Sequence, residues 1–261
     1  MRNIIVCTKI VPKAEDMNFD PETKTMKRSG VENQINEADK NAIELSLKIK
    51  EKSGGRVVLL SMGPPFFEQY LKIGIAMGAD DAILLSDRLF AGADTFATSA
   101  TLAAAIRKIG DYDLVLCGEE TSDGGTGQVP SQLAELLDLP QMLFVSEVDV
   151  DGNNLNAKRT IKGGYEIVES GMPAVLSIEL GINQPRFPDF RRKRWADKEF
   201  SLTIWSASSL EMKPELTGTG GSYTLVKRLT EYSTHQRQRI SVEGTAEQQA
   251  DKIIEILREY G

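Results

Sequence analysis

Four times in its first 140 residues the chain repeats one pattern, an apolar run followed by a segment with helical spacing. The apolar runs are NIIVCT (3–8), RVVLLSM (56–62), AILL (82–85) and DLVLC (113–117). Between the first two, Ile35, Ala38, Ala42, Leu45 and Ile49 are spaced 3, 4, 3 and 4, which is one face of a helix. Asn36 and Asp39 suit its start and Gly54 its end. Asp94 suits the N-cap of an alanine-rich helix over 93–110, and a further helix follows Gln128. Strands joined through helices cannot pair as hairpins, so the pattern predicts an α/β fold with a mostly parallel, Rossmann-like sheet and helices on both faces. Ligands of such sheets sit beyond the carboxyl ends of the strands, where the strand order reverses. Cys7, Met62 with Gly63, and Cys117 with Gly118 are therefore predicted to line one crevice.

After residue 140 the pattern changes. Residues 143–171 read as strand, DGNN turn, strand, GG turn and strand, a small meander, and PAVLSIEL (173–180) is placed back in the main sheet. Residues 17–28 alternate around DPETK and predict a small hairpin. The stretch 182–199 shows no clear period and reads as a loop. Residues 206–224, rich in Ser, Thr and Gly, read as a loose linker. In the closing segment Ala250, Ile253, Ile254 and Leu257 form one helical stripe, to be buried on a partner or on the chain's own body. The expected division is a nucleotide-binding domain over 1–205 and a linker with a C-terminal arm over 206–261.

A formal net charge of −7 argues against a nucleic-acid partner. No stretch approaches the roughly 20 apolar residues of a membrane span, and the N-terminal apolar run is too short for a signal peptide, so a cytoplasmic location is expected. His235 is the one histidine, in a polar C-terminal stretch, and Cys7 and Cys117 are the only cysteines. No metal site and no Ser-His-Asp triad is expected from that inventory. The cysteines read as buried thiols, and they could form a redox pair only if their strands are neighbours. Any redox chemistry must come from a bound organic cofactor or a partner.

The stretch GEETSDGGTGQV (118–129) carries the chemistry. Gly124, Gly125 and Gly127 allow the backbone close to a ligand. Thr126 offers a hydroxyl, and the N–H groups of Thr126, Gly127, Gln128 and Val129 belong to a first helical turn, where they could hold a phosphate. Yet Glu119, Glu120 and Asp123 are acids, which repel phosphate. Asp123 is expected to accept hydrogen bonds from its own loop, with Glu119 and Glu120 turned to solvent. An ordinary strand-to-helix loop is the other reading. Neither GxGxxG after the first strand nor GxxxxGK[ST] is present, so the phosphate site is of another type.

Two further stretches stand out. In ADTFATS, Thr95 and Thr98 lie three apart on a first helical turn, as a second polar contact or as capping and packing hydroxyls. In RFPDFRRKRW (186–195), Phe190 and Trp195 flank Arg191, Arg192, Lys193 and Arg194, an apolar anchor inside a charged rim, or a solvated loop.

Taken together, VCTKIVP, INEADKNAIELSLKIK, LLSMGPP, AMGADDAILLSD, GADTFATS, DLVLCGEETSDGGTGQV, LAELLDLPQ and the PRFP run resemble the β subunit of electron-transfer flavoproteins across about residues 1–200. The resemblance implies a heterodimer with an α subunit that carries its own FAD. It implies an adenine nucleotide held by the backbone of Cys7, by Asn36 and Asp39, by Met62, and by the loop containing Gly118, Asp123, Gly124, Gly125, Thr126, Gly127, Gln128 and Val129. Some members hold AMP as a structural group. Others hold a second FAD, take a hydride from NADH and bifurcate the electron pair. ADTFATS resembles the FAD-holding group, with Thr95 and Thr98 toward the cofactor, and FAD is the expected occupant. Phe190, Arg191 and Arg192 are then the docking residues for an acyl-CoA dehydrogenase-type flavoenzyme. Departures from the family pattern are Glu37 and Ala38 after the helix-cap asparagine, ETSDGGT in place of QAIDGDT, and the basic run after Phe190. The rivals are a one-FAD relay with AMP here, a stand-alone adenine-nucleotide sensor, and an NAD-dependent dehydrogenase, which lacks its glycine fingerprint and a histidine base.

Overall fold

A computed structural model describes residues 1–13, 19–20, 25–26, 32–226 and 241–260. The elements alternate as the sequence predicts: β1 (Arg2–Cys7), β2 (Ile10–Pro12), β3 (Phe19–Asp20), β4 (Thr25–Met26), β5 (Asn33–Ile35), α1 (Glu37–Ser53), β6 (Gly55–Met62), α2 (Glu68–Met77), β7 (Asp81–Leu85), α3 (Thr95–Ile109), β8 (Leu114–Gly118) and α4 (Val129–Leu137). Then come β9 (Gln141–Asp151), β10 (Asn154–Ile161), β11 (Gly164–Gly171), β12 (Ala174–Ile178), α5 (Phe190–Lys198), β13 (Thr203–Trp205) and α6 (Ala246–Tyr260). β3 and β4 pair antiparallel, as the expected hairpin requires. Its turn residues 21–24 lie outside the described residues, as does His235.

Nine strands form one sheet in the order β11-β10-β9-β12-β8-β1-β6-β7-β13. From β9 to β13 all neighbours are parallel, and β10 and β11 complete the meander antiparallel. β12 enters the sheet between β9 and β8, which places PAVLSIEL where the sequence put it. The strands of the parallel core read as continuous apolar runs because both faces are covered. Ile4, Val6, Val57 and Leu59 pack under α1 and α2, while Ile5, Cys7, Val58 and Leu60 pack under α3 and α4. Strand order reverses at β1, whose neighbours are β8 and β6, so the switch point opens beyond Cys7 and Gly118.

Two expectations fail here. The stretch 182–199 is not a loop throughout, since α5 occupies Phe190–Lys198. No apolar period marks it because α5 is nearly all polar, with Ala196 its one fully buried residue. Asp189 caps it through Arg192 N–H (2.8 Å). Residues 206–224 are not loose either. Two 3₁₀ turns, Ser208–Leu210 and Pro214–Leu216, fold against the body, and Leu210 and Thr217 are buried. One carboxylate ties this stretch down. Asp94 Oδ1 accepts Ala97 N–H (2.9 Å) as the N-cap of α3, and Oδ2 accepts Tyr223 N–H, Thr224 N–H and Thr224 Oγ1–H (2.9, 2.9 and 3.0 Å). Asp94 N–H donates to Ser222 Oγ (2.8 Å). Desolvation pulls the Asp94 carboxyl upward, and the hydrogen bonds from Ala97, Thr224 and Tyr223 outweigh it, leaving it below the usual carboxylate range.

The chain divides into two compact units, Met1–Lys227 and Arg228–Gly261. In the second, Ile253, Ile254 and Leu257 of α6 form an exposed apolar stripe. No described helix is long and apolar enough to cross a membrane.

The shared role of Asp94 sets an expected outcome. Asp94→Ala removes a cap and a staple at once, so unfolding free energy should fall by about 1–2 kcal/mol. Hydrogen exchange at Tyr223 and Thr224 should quicken at least about tenfold. Urea denaturation and amide exchange on the two proteins check both.

Candidate functional site

The crevice at the switch point is assembled around Asp39. α1 begins at Glu37, which brings Asp39 in its first turn under the carboxyl end of the sheet, fully buried. Its Oδ2 accepts Lys9 N–H (2.7 Å) just past β1, and its Oδ1 accepts Gly118 N–H (3.0 Å) at the end of β8. Asn36 Nδ2 donates to the same Oδ1 (3.2 Å). One carboxylate therefore fixes the separation of the two strand ends at the switch point. Gly118 is required by space: a Cβ there would lie 2.3 Å from Asp39 Oδ1 and 2.8 Å from Ala38 Cβ. Burial pushes the Asp39 carboxyl up to about 6 against the hydrogen bonds from Lys9, Asn36 and Gly118.

Asn36 extends the clamp into the loop after β8. Its Nδ2 donates to Glu120 O (2.8 Å) and its Oδ1 accepts Ser122 N–H (3.2 Å). It stands at the N-cap position of α1 without a side-chain cap bond, because its amide is spent on this loop instead.

The loop is a turn followed by an open donor row. Gly124 N–H and Gly125 N–H both donate to Thr121 O (3.2 and 2.7 Å). The N–H groups of Thr126, Gly127 and Gln128 carry no hydrogen bond among the described residues. Gly127 stands at φ 59°, a conformation that favours glycine, and it turns the chain into α4. Orphan N–H groups at the start of a helix suit an anion.

The acids of this loop are accounted for. Asp123 Oδ1 accepts Lys9 Nζ (2.6 Å), an ion pair that sequence reading missed. Glu119 does not turn to solvent: its Oε1 accepts Leu180 N–H (2.9 Å), across from β12. Glu120 is exposed.

Thr95 joins this site from α3. Its Oγ1 donates to Gln128 Oε1 (3.0 Å) and accepts Gln132 Nε2–H (3.2 Å), so the N-termini of α3 and α4 are tied side by side. Thr98, one turn on, is half-buried. Met62 ends β6, on the far side of β1 from Gly118. Cys7 and Cys117 lie on neighbouring strands, both free and buried, and contact with Cys7 together with burial pushes the Cys117 thiol well up. A thiol held protonated is a poor nucleophile.

Phe190, Arg191 and Arg192 lie elsewhere, on α5 where α2 ends and β7 begins, at the amino-terminal end of the sheet. Arg192 is committed to that packing, with Nε donating to Ile75 O (3.1 Å) and Nη2 to Ala79 O (2.8 Å), carbonyls at the end of α2. Phe190 is 79% exposed and Phe187 91%. Arg191, Arg192, Trp195 and Asp80 line a shallow hollow beside them.

Known proteins resemble this chain closely. Residues 23–204 match the family model described as electron transfer flavoprotein domain. The chain is 44% identical over 224 residues to the electron transfer flavoprotein subunit beta of Thermoanaerobacterium thermosaccharolyticum, covering 86% of each. It is 41% identical over 226 residues to the caffeyl-CoA reductase-Etf complex subunit CarD of Acetobacterium woodii, again covering 86% of each. Protein FixA of Azorhizobium caulinodans is 35% identical over 264 residues, covering 97% of this chain and 92% of that one.

The raised Asp39 fixes the sign of a pH effect. The folded state takes up a proton near pH 6 and the unfolded chain only near 3.8, so Asp39 adds stability as pH falls below about 6 and loses it as pH rises through that value. Measured by urea denaturation between about pH 7 and pH 5, stability relative to Asp39→Asn should grow on acidification, by at most roughly 1.4 kcal/mol per unit.

Proposed function

We propose that this chain, which belongs to the electron transfer flavoprotein family as a β subunit, holds FAD in the crevice beyond β1, β6 and β8 and works there in electron transfer. The observation that carries the nucleotide is the row of unpaired N–H groups at Thr126, Gly127 and Gln128, set beside a strand-end pair that Asp39 holds in register. Those donors, with the helix dipole of α4, would take phosphate oxygens. Cys7 and Met62 would contribute the walls at their strand ends.

The preference for FAD over AMP rests on Thr95. Its hydrogen bond to Gln128 carries the polar lining past the end of the phosphate loop and onto α3, where Thr98 follows. A monophosphate has no use for that second patch, whereas a diphosphate or a flavin edge does. FAD would supply the redox chemistry, accepting a hydride from NADH and passing electrons on. The chain's own part is to bind, orient and keep water out, and no acid or base among its side chains is required.

The partners follow from the family and the exposed faces. β subunits of this family pair with an α subunit, and the α6 stripe of Ile253, Ile254 and Leu257 is the apolar surface offered to it. CarD belongs by name to a complex with a reductase of a CoA ester. That favours an acyl-CoA dehydrogenase-type flavoenzyme as the further partner, with electron bifurcation as the mode of transfer. Phe190 would anchor that partner and Arg191 would stand at its rim, while Arg192 holds α5 in place beneath them.

Two variants test the two halves. Thr95→Val with Thr98→Val should strip FAD from this subunit and leave the α-subunit FAD; unchanged flavin content would remove the basis for FAD at this position. Phe190→Ala should slow electron transfer to the dehydrogenase by about tenfold or more at unchanged flavin content. Loss of flavin from that variant would show that Phe190 supports the fold or the cofactor and not docking.

A further inference from the structure

We propose that Lys9 is the cation that meets the nucleotide phosphate, with Asp123 presenting its ammonium; the proposal rests on the nucleotide reading above. Lys9 is the second residue after β1, and both its backbone groups are tied. Its N–H donates to Asp39 Oδ2 (2.7 Å) and its carbonyl accepts Asn36 N–H (2.9 Å). With the backbone pinned on the β1 side of the crevice, the side chain crosses to the loop on the β8 side. There Nζ donates to Asp123 Oδ1 (2.6 Å) and to Thr121 Oγ1 (3.3 Å). It lies so close to the glycine turn that a Cβ on Gly124 would be 3.6 Å from it.

The two partners are buried very unequally. The Asp123 side chain is 3% exposed and the Lys9 side chain 37%. The carboxylate is therefore underneath, and the ammonium is the part that a ligand at the glycine turn would meet. An ammonium has three donors, and Asp123 and Thr121 occupy two of them. Among the described residues the third has no acceptor, and it lies by the same loop whose later residues, Thr126, Gly127 and Gln128, offer N–H groups with no partner among the described residues. Charge points the same way. A loop carrying Glu119, Glu120 and Asp123 would repel a phosphate unless the acids were turned away or covered. Glu119 is held by Leu180 N–H, and Asp123 is covered by Lys9. A hydrogen bond from an ammonium to a phosphate oxygen is charge-assisted and discriminates a nucleotide from its nucleoside.

The test compares AMP with adenosine, by calorimetry on the nucleotide-depleted complex of the full chain with its α subunit. For the wild type, AMP should bind well ahead of adenosine. Lys9→Met should weaken AMP by about tenfold to a hundredfold and leave adenosine within about threefold. Lys9→Arg should restore most of the preference. Asp123→Asn should lower the preference by less than Lys9→Met does, because the cation stays but loses its anchor. If Lys9→Met weakens AMP and adenosine alike, or leaves the preference for AMP intact, Lys9 is only a staple of the loop and the proposal is overturned. A wild-type complex that binds neither AMP nor adenosine nor FAD at this subunit would overturn the nucleotide reading itself.

Discussion

A single buried carboxylate, Asp39, joins the two strand ends between which the sheet reverses its order. A parallel sheet leaves the N–H groups at its carboxyl edge without partners, and burying them unpaired costs on the order of 1–3 kcal/mol each. Asp39 satisfies two of them, on Lys9 and Gly118, from the first turn of the helix that follows β1. The spacing it imposes leaves no room for a side chain at Gly118. Burial raises its own carboxyl, a cost the fold carries to keep this edge fixed. The crevice, the loop after β8 and the polar lining on α3 are all built outward from that clamp.

The electrostatics of the loop follow from the same arrangement. A phosphate at this loop would require the carboxylates of an acidic chain to be kept off its path. Here Glu119 is turned to the backbone after β12, and Asp123 is sunk beneath Lys9. The ammonium of Lys9 is then the more exposed partner of its ion pair, next to a row of peptide N–H groups without described partners. The exposed face around Phe190 lies apart from this loop, since α5 sits on the end of α2, at the opposite edge of the sheet.

Much of this was legible in the sequence because local signals and tertiary packing agree. The apolar runs ending at Cys7, Met62 and Cys117 predicted the strands and the edge where they end. Asp94 read as a cap and is one. The misses share a cause. α5 has no apolar period because it is anchored by Arg192 reaching backbone carbonyls, an interaction without a sequence signature. Residues 206–224 looked loose because Ser, Thr and Gly are abundant there, yet Gly218 fits so tightly that a Cβ would lie 2.2 Å from Leu89 O. The Lys9–Asp123 pair spans 114 positions, and only the pairing of β1 with β8 brings its ends together. A lysine two residues beyond a strand end was the one available hint.

The measurement that bears most directly on the central claim is the nucleotide content of the purified heterodimer, released by denaturation and counted as FAD and AMP per complex. Two FAD and no AMP are expected if the crevice holds a flavin nucleotide beside the FAD of the α subunit. One FAD with one AMP would contradict FAD at this position, and one FAD with no second nucleotide would contradict a nucleotide in the crevice altogether.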